Sequence, residues 1–365
     1  MPHNVNCAGQ SCAEVPTISE VRRMRSLTIG QYASKVNNSK SLSHNTHARC
    51  SATFLVLLAS AIACSSQTSW TQRNPFPPSE HLGCVTYGNG TFLAVGANST
   101  ILTSQDGLTW TYQKLDTLFY LSTAAYRDKG FVIGSIDGPV LTSPDGVVWS
   151  AETSWVNHVA SIVFGNIYMV SIGSDGRLSS WNGIDPVDST YFTDLAFGNG
   201  YYVALGGNKV ARTEYPIYWT VDSIEDVTSL ECITSNGSLF VIGAATTTGG
   251  KFLYSTNGDA WYSGDITNGI YPTAITYGKG QYVAVCDDGS VVRSPNGVTW
   301  YPTNVKIEGV RSICFGNTTF VGVGNGGKIY ASTNGVTWID ASPGARRAIK
   351  DVAFGNRTYV AVGYN

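Results

Sequence analysis

The chain has 365 residues, a formal net charge of −2 and 13% charged residues, together with 40 Gly and 12% aromatic residues. The low charge, and the lack of basic stretches interleaved with aromatic residues, argue against a nucleic-acid partner. Abundant glycine with aromatic and β-branched residues predicts short strands joined by tight turns, and no amphipathic helical period follows residue 65.

The N-terminal region, residues 1–64, is predicted to be an extension that ends in an export signal. Residues 52–63 form an uncharged apolar run that is shorter than the roughly 20 residues a membrane-spanning helix needs. A basic flank before the run and small residues at its end are typical of a secretory signal. Ala61-Ile62-Ala63-Cys64 resembles a bacterial lipobox, so the sequence predicts either a lipid on Cys64 or cleavage after Ala63.

Two other interpretations of this region remain open. The stretch before the apolar run is long for a signal, and Met24 is an alternative start. Residues 21–64 contain no Asp or Glu and are rich in Ser and Arg, which is the composition of an organelle transit segment. The predicted location is therefore the cell envelope or the extracellular space, with the lumen of a plastid as the alternative.

Residues 65–365 contain a repeat with a period near 39, and its first half is an aromatic residue, Gly-Asn and an apolar strand. It is clearest in Tyr87-Gly88-Asn89-Gly90 followed by Thr91–Gly96. Asn-Gly between alternating apolar runs predicts a two-residue hairpin, because both turn positions need positive φ. Further copies begin at Phe164, Phe197, Tyr277, Phe315 and Phe354, with degraded forms near Tyr126 and Thr234.

The second half of the repeat is Ser-x-Asp/Asn-Gly-x-x-Trp, first seen in Ser104–Trp110. The Asp or Asn oxygen can accept backbone N–H bonds within its own turn, which predicts a second hairpin with a strand over Leu108–Tyr112. Other copies are Ser143–Trp149, Ser255–Trp261, Ser294–Trp300 and Ser332–Trp338, with worn forms at Trp181 and Trp219. Four-stranded sheets with two apolar faces are stable only when stacked radially, so the sequence predicts an all-β propeller of about eight four-stranded blades.

The two ends of the repeat region are irregular. The last copy has its first two strands, over Asp351–Phe354 and Thr358–Gly363, and Trp70 precedes the first copy without a motif. We expect residues 68–73 to close the ring by joining the C-terminal blade. Three alternatives remain for the third strand of that blade. Residues 57–64 supply it, the blade has only three strands, or the given sequence is truncated before the strand. Seven blades with an additional hairpin is the alternative count.

The second half-motif resembles the Asp-box of bacterial neuraminidase repeats, although this chain has one residue fewer between Asp and Gly. The whole unit is similar to repeats of exported bacterial propellers and, loosely, to the photosystem II stability/assembly factor family. The resemblance covers residues 70–365 and implies a propeller in which the Asp-box residues are structural. These residues are Asp106, Trp110, Asp145, Trp149, Asn257, Trp261, Asn296, Trp300, Asn334 and Trp338.

Signals for catalysis are weak. The Arg-Ile-Pro signature of sialidases is absent, and after position 64 only His81 and His158 could serve a Ser–His–Asp arrangement. His and Cys do not cluster as metal ligands. Asp287-Asp288-Gly289 has the character of a polar turn, with a calcium ligand as the alternative. We predict no catalytic residue, no metal site and no cofactor.

A ligand site is expected where the longer loops surround the central channel. Aromatic residues with a few polar groups suit a glycan or a peptide. The candidates are Asp116, Tyr120, Trp155, His158, Asp185, Tyr191, Tyr271, Arg346 and Arg347. The predicted function is an exported, monomeric, non-enzymatic binding or scaffold module for a glycan, peptide or protein, which meets membranes only through a lipid on Cys64. The alternatives are a sialidase-like glycan hydrolase and an assembly factor for a membrane complex such as photosystem II.

Overall fold

This computed structural model describes residues 70–71, 81–127, 130–152, 159–166, 168–180, 190–216, 218–265, 270–344 and 347–364. The N-terminal extension and its apolar run lie outside the described residues. The described part is all-β apart from two short 3₁₀ turns, Ala97–Ser99 and Asn325–Gly327. It contains six four-stranded sheets, one three-stranded sheet and one two-stranded sheet.

Each sheet is an antiparallel meander in which neighbouring strands are consecutive in the chain. We number them sheets 1 to 7, followed by the C-terminal hairpin. Sheet 1 is β1 (Leu82–Gly88), β2 (Thr91–Gly96), β3 (Thr100–Ser104) and β4 (Thr111–Lys114). Sheet 2 is β5 (Leu121–Arg127), β6 (Gly130–Ser135), β7 (Val140–Ser143) and β8 (Ser150–Glu152). Sheet 3 is β9 (Val159–Phe164), β10 (Met169–Gly173) and β11 (Leu178–Ser180), and residues 181–189 after it are not described.

The second half of the chain repeats this plan. Sheet 4 is β12 (Asp194–Gly198), β13 (Tyr201–Gly206), β14 (Lys209–Thr213) and β15 (Thr220–Ser223). Sheet 5 is β16 (Ser229–Ser235), β17 (Phe240–Thr246), β18 (Gly249–Ser255) and β19 (Tyr262–Ser263). Sheet 6 is β20 (Pro272–Gly278), β21 (Gln281–Cys286), β22 (Ser290–Ser294) and β23 (Tyr301–Lys306). Sheet 7 is β24 (Val310–Gly316), β25 (Thr319–Gly324), β26 (Ile329–Ser332) and β27 (Ile339–Asp340); the C-terminal hairpin is β28 (Ile349–Gly355) and β29 (Thr358–Gly363).

The first strands of the sheets contact one another in chain order, and β28 contacts both β24 and β1, so the ring closes. The β-propeller prediction is confirmed. Seven sheets of three or four described strands match the alternative count of seven blades with an additional hairpin. The C-terminal hairpin is the additional unit of that count, and no described residue pairs with the outer edge of β29.

The turn between the first and second strands explains the first half-motif. Asn89 and Gly90 have φ of 47° and 75°, as the predicted two-residue hairpin requires. The glycine that follows each aromatic residue is required for a different reason, the close packing of a ring from the neighbouring sheet. A Cβ on Gly88 would lie 1.9 Å from Cγ of Tyr126 in sheet 2, and a Cβ on Gly355 would lie 2.0 Å from Cγ of Tyr87 in sheet 1. The aromatic ring of one sheet therefore packs on the glycine of the preceding sheet.

The turn between the third and fourth strands explains the second half-motif. Oδ1 of Asp106 accepts hydrogen bonds from the backbone N–H of Leu108 and Thr109, both at 2.8 Å. The hydroxyl of Ser104 accepts from the N–H of Gly107 at 2.8 Å. The fourth strand begins at Thr111 rather than at the predicted Leu108, because the turn already uses the backbone of Leu108 and Thr109.

Asparagine fills the same role in the later copies. Oδ1 of Asn296 accepts from Val298 and Thr299 at 3.0 and 2.9 Å, and Oδ1 of Asn334 accepts from Val336 and Thr337 at 2.8 and 2.9 Å. An oxygen acceptor is thus sufficient for the turn, and a negative charge is not needed.

The tryptophan of each copy lies in the interface between its own sheet and the preceding one. Trp338 packs with residues of sheets 6 and 7, and Trp110 packs with Phe92 of sheet 1 and Val360 of the C-terminal hairpin. Trp70 packs with Val321 of sheet 7 and Tyr359 of the hairpin, which agrees with ring closure by the N-terminal segment. Trp70 and Thr71 are not in a strand, and the other residues of the predicted closing strand, 68–69 and 72–73, lie outside the described residues.

Candidate functional site

Two kinds of connection emerge at one end of the ring, which we call the loop face. They are the connections from second to third strands and from fourth strands to the next first strand, because the strands of each sheet alternate in direction. The Ser-Asp/Asn-Gly turns that follow the third strands lie at the opposite end. The loop face is therefore built from segments whose sequences differ between the repeats.

One position of the loop face recurs from sheet to sheet, immediately before the first strand. It is occupied by His81 before sheet 1, Tyr120 before sheet 2 and Tyr271 before sheet 6. Tyr191 lies in the corresponding segment before sheet 4, three residues ahead of Asp194. The carbonyls of His81, Tyr120 and Tyr271 each accept a backbone hydrogen bond of 2.9 Å from the residue after the second strand. This shared bond fixes each of these three aromatic residues at the inner end of its sheet, so two of the predicted candidates, Tyr120 and Tyr271, occupy places equivalent to that of His81.

A cluster of side chains spans the seam between the C-terminal hairpin and sheet 1, and Tyr120 of sheet 2 lies within electrostatic reach of it. The ring of Tyr364 meets His81 edge-on with centroids 4.9 Å apart, and Nζ of Lys350 lies 4.6 Å from the centroid of Tyr364. Burial raises the pKa of Tyr120, Tyr364 raises it further, and the positive charge of Lys350 lowers it. We call His81, Tyr120, Lys350 and Tyr364 the seam cluster.

The other candidates lie elsewhere or are not described. Tyr191 and Tyr271 are 45% and 37% exposed, and the hydroxyl of Tyr191 donates to the carbonyl of Ser174 at 2.9 Å. Arg347 and Asp116 are exposed. Four predicted candidates lie outside the described residues, namely Trp155, His158, Asp185 and Arg346.

The sequence analysis did not select His81, Lys350 or Tyr364 for this site. Aligning the repeats could have found two of them, since His81 precedes a first strand as Tyr120 does. Tyr364 follows a second strand and donates its N–H to Ala348, as Ala97 donates to His81. Lys350 is the bulged residue of β28, between Ile349 and Asp351, where the register shifts. A bulge redirects a side chain, and strand alternation alone does not reveal it.

The cations of the loop face differ in their ion pairs. Lys306 and Lys328 form ion pairs with Asp288 and Asp340, at 2.8 and 2.9 Å. Arg311 lies in sheet 7, Arg347 lies just before the C-terminal hairpin, and Lys350 lies within the hairpin. Among the described residues, no carboxylate forms an ion pair with any of these three cations. Lys350 of the seam cluster is thus one of the loop-face cations that have no ion pair with a described carboxylate.

A second feature of the loop face lies at sheets 4 and 5. A shallow cleft of about 580 Å³ opens there, lined by Asp226, Thr246, Thr247, Thr248 and Lys251 among others. Its lining is mostly hydroxyl and backbone groups rather than aromatic rings. The cleft is therefore a weaker candidate for a ligand than the seam cluster, where the rings of His81 and Tyr364 pack together beside Lys350.

Two buried carboxylates of the innermost strands are used to join sheets. Asp351 accepts from the N–H of Val85 in sheet 1 at 2.9 Å and from Val352 at 2.8 Å. Asp194 accepts from the N–H of Ile233 in sheet 5 at 2.8 Å and from Leu195 at 2.9 Å. Both carboxylates hold neighbouring first strands together.

The described residues offer little for nucleophilic or metal chemistry. Cys84, Cys232 and Cys286 are free and buried, and burial is the main cause that raises the pKa of each thiol. The described part of the chain has no group of three or more His, Cys, Asp or Glu that could hold a metal ion. Asp288 lies in a polar turn, where it pairs with Lys306 and accepts from the N–H of Ser290.

Within the part of the chain that the structure describes, no helix has the length and apolar character needed to cross a bilayer.

Comparison with known proteins identifies the architecture. No model of a protein family matches the chain, and no curated protein matches it. Among solved structures, the computationally designed protein Ika8 is similar with a TM-score of 0.65 and 16% identity, covering 80% of this chain and 95% of that one. YCF48 bound to a D1 peptide has a TM-score of 0.53 and 17% identity, covering 70% and 94%. Virginiamycin B lyase from Staphylococcus aureus has a TM-score of 0.52 and 13% identity, covering 80% and 94%. At these identities the likeness establishes the propeller fold and nothing finer.

Proposed function

We propose that this protein is an exported, non-enzymatic propeller that binds a polypeptide partner through the seam cluster on its loop face. The observation that carries the proposal is the contact of Tyr364 with both His81 and Lys350 at the seam. Aromatic rings supply large contact areas at low entropic cost, and nearby cations without acidic partners attract acidic or carboxylate-bearing segments.

A protein partner is favoured over the alternatives by two considerations. YCF48, a propeller of similar fold, has been solved bound to a D1 peptide. The carboxylates of the innermost strands, Asp194 and Asp351, are occupied by backbone N–H groups, which disfavours a glycan hydrolase that needs a free carboxylate pair. A glycan ligand and an assembly role at a membrane complex are the remaining alternatives.

The binding proposal is tested with the full chain on an array of random-sequence peptides and on a glycan array. We expect a set of peptides enriched in Asp, Glu or free C-termini to bind. Tyr364→Ala and Lys350→Ala should each weaken those peptides about 10-fold or more, because each removes a contact at the centre of the patch.

The matched control is Tyr218→Ala. Tyr218 is 79% exposed and lies in the turn between β14 and β15, at the opposite end of the ring. Peptide binding that survives both seam variants, or that Tyr218→Ala also abolishes, would overturn the assignment of the site. Binding to glycans alone would favour the glycan alternative.

Export is the second part of the proposal and rests on the apolar run and Cys64. The mass of the chain recovered from an expressing bacterium's envelope distinguishes a lipidated Cys64 from cleavage after Ala63. Recovery of the intact chain from the cytoplasm would contradict export.

A further inference from the structure

The first strands share a β-bulge at their loop-face end. In sheet 1 the register shifts between Leu82 and Cys84, so Gly83 is the bulged residue. Thr193 holds the corresponding place before β12 in sheet 4. The same shift occurs in the first strands of the other units, where the bulged residues are Ser122, Ala160, Glu231, Thr273, Arg311 and Lys350. One backbone position therefore recurs around the mouth of the central channel, and a bulge redirects the side chain that it carries.

The bulged side chain leaves the backbone beside the next unit of the ring. A Cβ on Gly83 of sheet 1 would lie 3.5 Å from the carbonyl oxygen of Ser122, the bulged residue of sheet 2. The hydroxyl of Ser122 in turn donates to the carbonyl of Val159 in sheet 3. Arg311 is exposed at the same position in sheet 7, where the next unit is the C-terminal hairpin. We therefore expect the guanidinium of Arg311 to extend toward Lys350.

Each of these units adds one of two kinds of side chain to the mouth. Where the residue two positions before the bulge has a ring, the bulged residue is small and uncharged, and these pairs are His81 with Gly83, Tyr120 with Ser122, Tyr191 with Thr193 and Tyr271 with Thr273. Where the bulged residue is charged, the earlier residue is small, and these pairs are Ser229 with Glu231, Gly309 with Arg311 and Ala348 with Lys350. The mouth is therefore divided into aromatic and charged parts.

The two parts meet at the seam cluster. Sheet 7 and the hairpin contribute Arg311 and Lys350, and the next units, sheets 1 and 2, contribute His81 and Tyr120. Tyr364 contacts both parts, since its ring centroid lies 4.9 Å from that of His81 and 4.6 Å from Nζ of Lys350. We call Arg311 and Lys350 the cationic arc, and His81 and Tyr120 the aromatic arc. The seam cluster is the boundary between them.

We infer that the partner polypeptide has an acidic block joined to an apolar block. It lies across the seam cluster, with its acidic block on the cationic arc and its apolar block on the aromatic arc. This inference rests on the proposed function and names the chemistry of the partner. Carboxylates on the cationic arc meet charges of opposite sign, and apolar side chains on the aromatic arc cover the rings. Arg311 is then a specificity-determining residue of the site.

The test uses the full chain and two peptide libraries of equal composition. In the block library, Asp and Glu form one part of each peptide and Leu, Phe and Tyr form the other, in both chain directions. In the mixed library the same residues alternate. We expect the best block peptide to bind at least about 10-fold more tightly than the best mixed peptide, because alternation puts apolar side chains on the cationic arc. Equal binding of the two libraries overturns the inference.

Two variants distinguish the arcs. Arg311→Gln should weaken the best block peptide about 10-fold at low salt and reduce the loss of affinity on adding salt, because a charge contact is removed. Tyr120→Ala should weaken the same peptide by about 10-fold and leave the salt dependence unchanged. The matched controls are Glu231→Gln, at the bulge of sheet 5, and Tyr271→Ala, before sheet 6, and neither should weaken binding by more than about 2-fold.

The outcomes separate this inference from the proposed function. If Lys350→Ala and Tyr364→Ala weaken the block peptide while Arg311→Gln and Tyr120→Ala act like their controls, the inference is overturned and the seam cluster remains the site. If no peptide of either library binds, both are overturned. Arg311 is exposed, so Arg311→Gln tests the cationic arc even when Tyr120→Ala does not fold.

Discussion

Sheet 1 and the C-terminal hairpin begin in the same way and end differently. Leu82 pairs with Gly96 and Ile349 pairs with Gly363, each followed by a bulge, and both pairs of strands close with a turn at positive φ. Gly355 receives the ring of Tyr87 as Gly88 receives the ring of Tyr126. The inner two strands of both units therefore make the same contacts in the ring. Beyond these strands, β2 pairs with β3, whereas no described residue pairs with the outer edge of β29.

The largest expected effect is a loss of unfolding free energy, which should differ between the tryptophan of a complete sheet and the tryptophan that packs on the hairpin. Trp300 is 5% exposed and stacks on Phe252 with centroids 3.6 Å apart and planes at 8°. Trp300→Ala should cost about 3–5 kcal/mol of unfolding free energy, the usual loss for a buried Trp. Trp70 is only partly buried, so Trp70→Ala should cost about 1–2 kcal/mol, in proportion to the apolar area it covers.

Urea unfolding monitored by circular dichroism measures both variants, with Val148→Ala, at a side chain 67% exposed, as the control. No loss in Trp70→Ala would mean that the N-terminal segment does not help to close the ring. An equal loss in both variants would mean that the hairpin is as tightly packed as sheet 6.

The next effect concerns the carboxylates that join first strands. Asp351→Ala and Asp194→Ala each leave two backbone N–H groups without their acceptor, which should cost about 1–3 kcal/mol. Because the two sites have the same bonds, we expect similar losses by the same unfolding measurement. Asp→Asn at each site keeps one acceptor oxygen, so the unfolding free energy of this variant should lie between those of the parent and the Ala variant. A much smaller loss at Asp351 would show that the hairpin is held more loosely than sheet 4.

The smallest effect is a dependence on pH that distinguishes the Asp turns from the Asn turns. The backbone N–H groups of Thr109 and Leu108 lower the pKa of Asp106 from 3.8 to about 2, and those of Val147 and Val148 lower the pKa of Asp145. Since the folded pKa lies below the unfolded one, this stabilisation is present above pH 4 and is lost as the pH falls toward 2.

Replacing both residues, Asp106→Asn with Asp145→Asn, should keep the turns, as Asn296 and Asn334 do, and remove this part of the acid sensitivity. We expect nearly unchanged melting at pH 7 and a smaller fall in Tm, by a few degrees, between pH 4 and pH 2. An identical Tm profile in the parent and the double variant would contradict a contribution of the two carboxylates to folding.

The sequence could predict the fold because its information is local. Asn89-Gly90 dictates a hairpin through its backbone conformation, and Ser104 with Asp106 dictates the next turn through hydrogen bonds only two or three residues long. The same locality explains why Tyr120, Tyr191 and Tyr271 could be assigned to one face. Trp155 and the other predicted candidates outside the described residues remain predictions, as do export and the lipid on Cys64.

The tertiary structure decided what depends on residues far apart in the chain. Tyr364, Lys350 and His81 form one cluster only because the ring brings its last strand beside its first. Ring closure likewise puts Trp70 against Tyr359. Local turn chemistry specifies each repeating unit, but closure joins residues more than 250 positions apart, such as Val85 and Asp351, and no period in the sequence encodes those contacts.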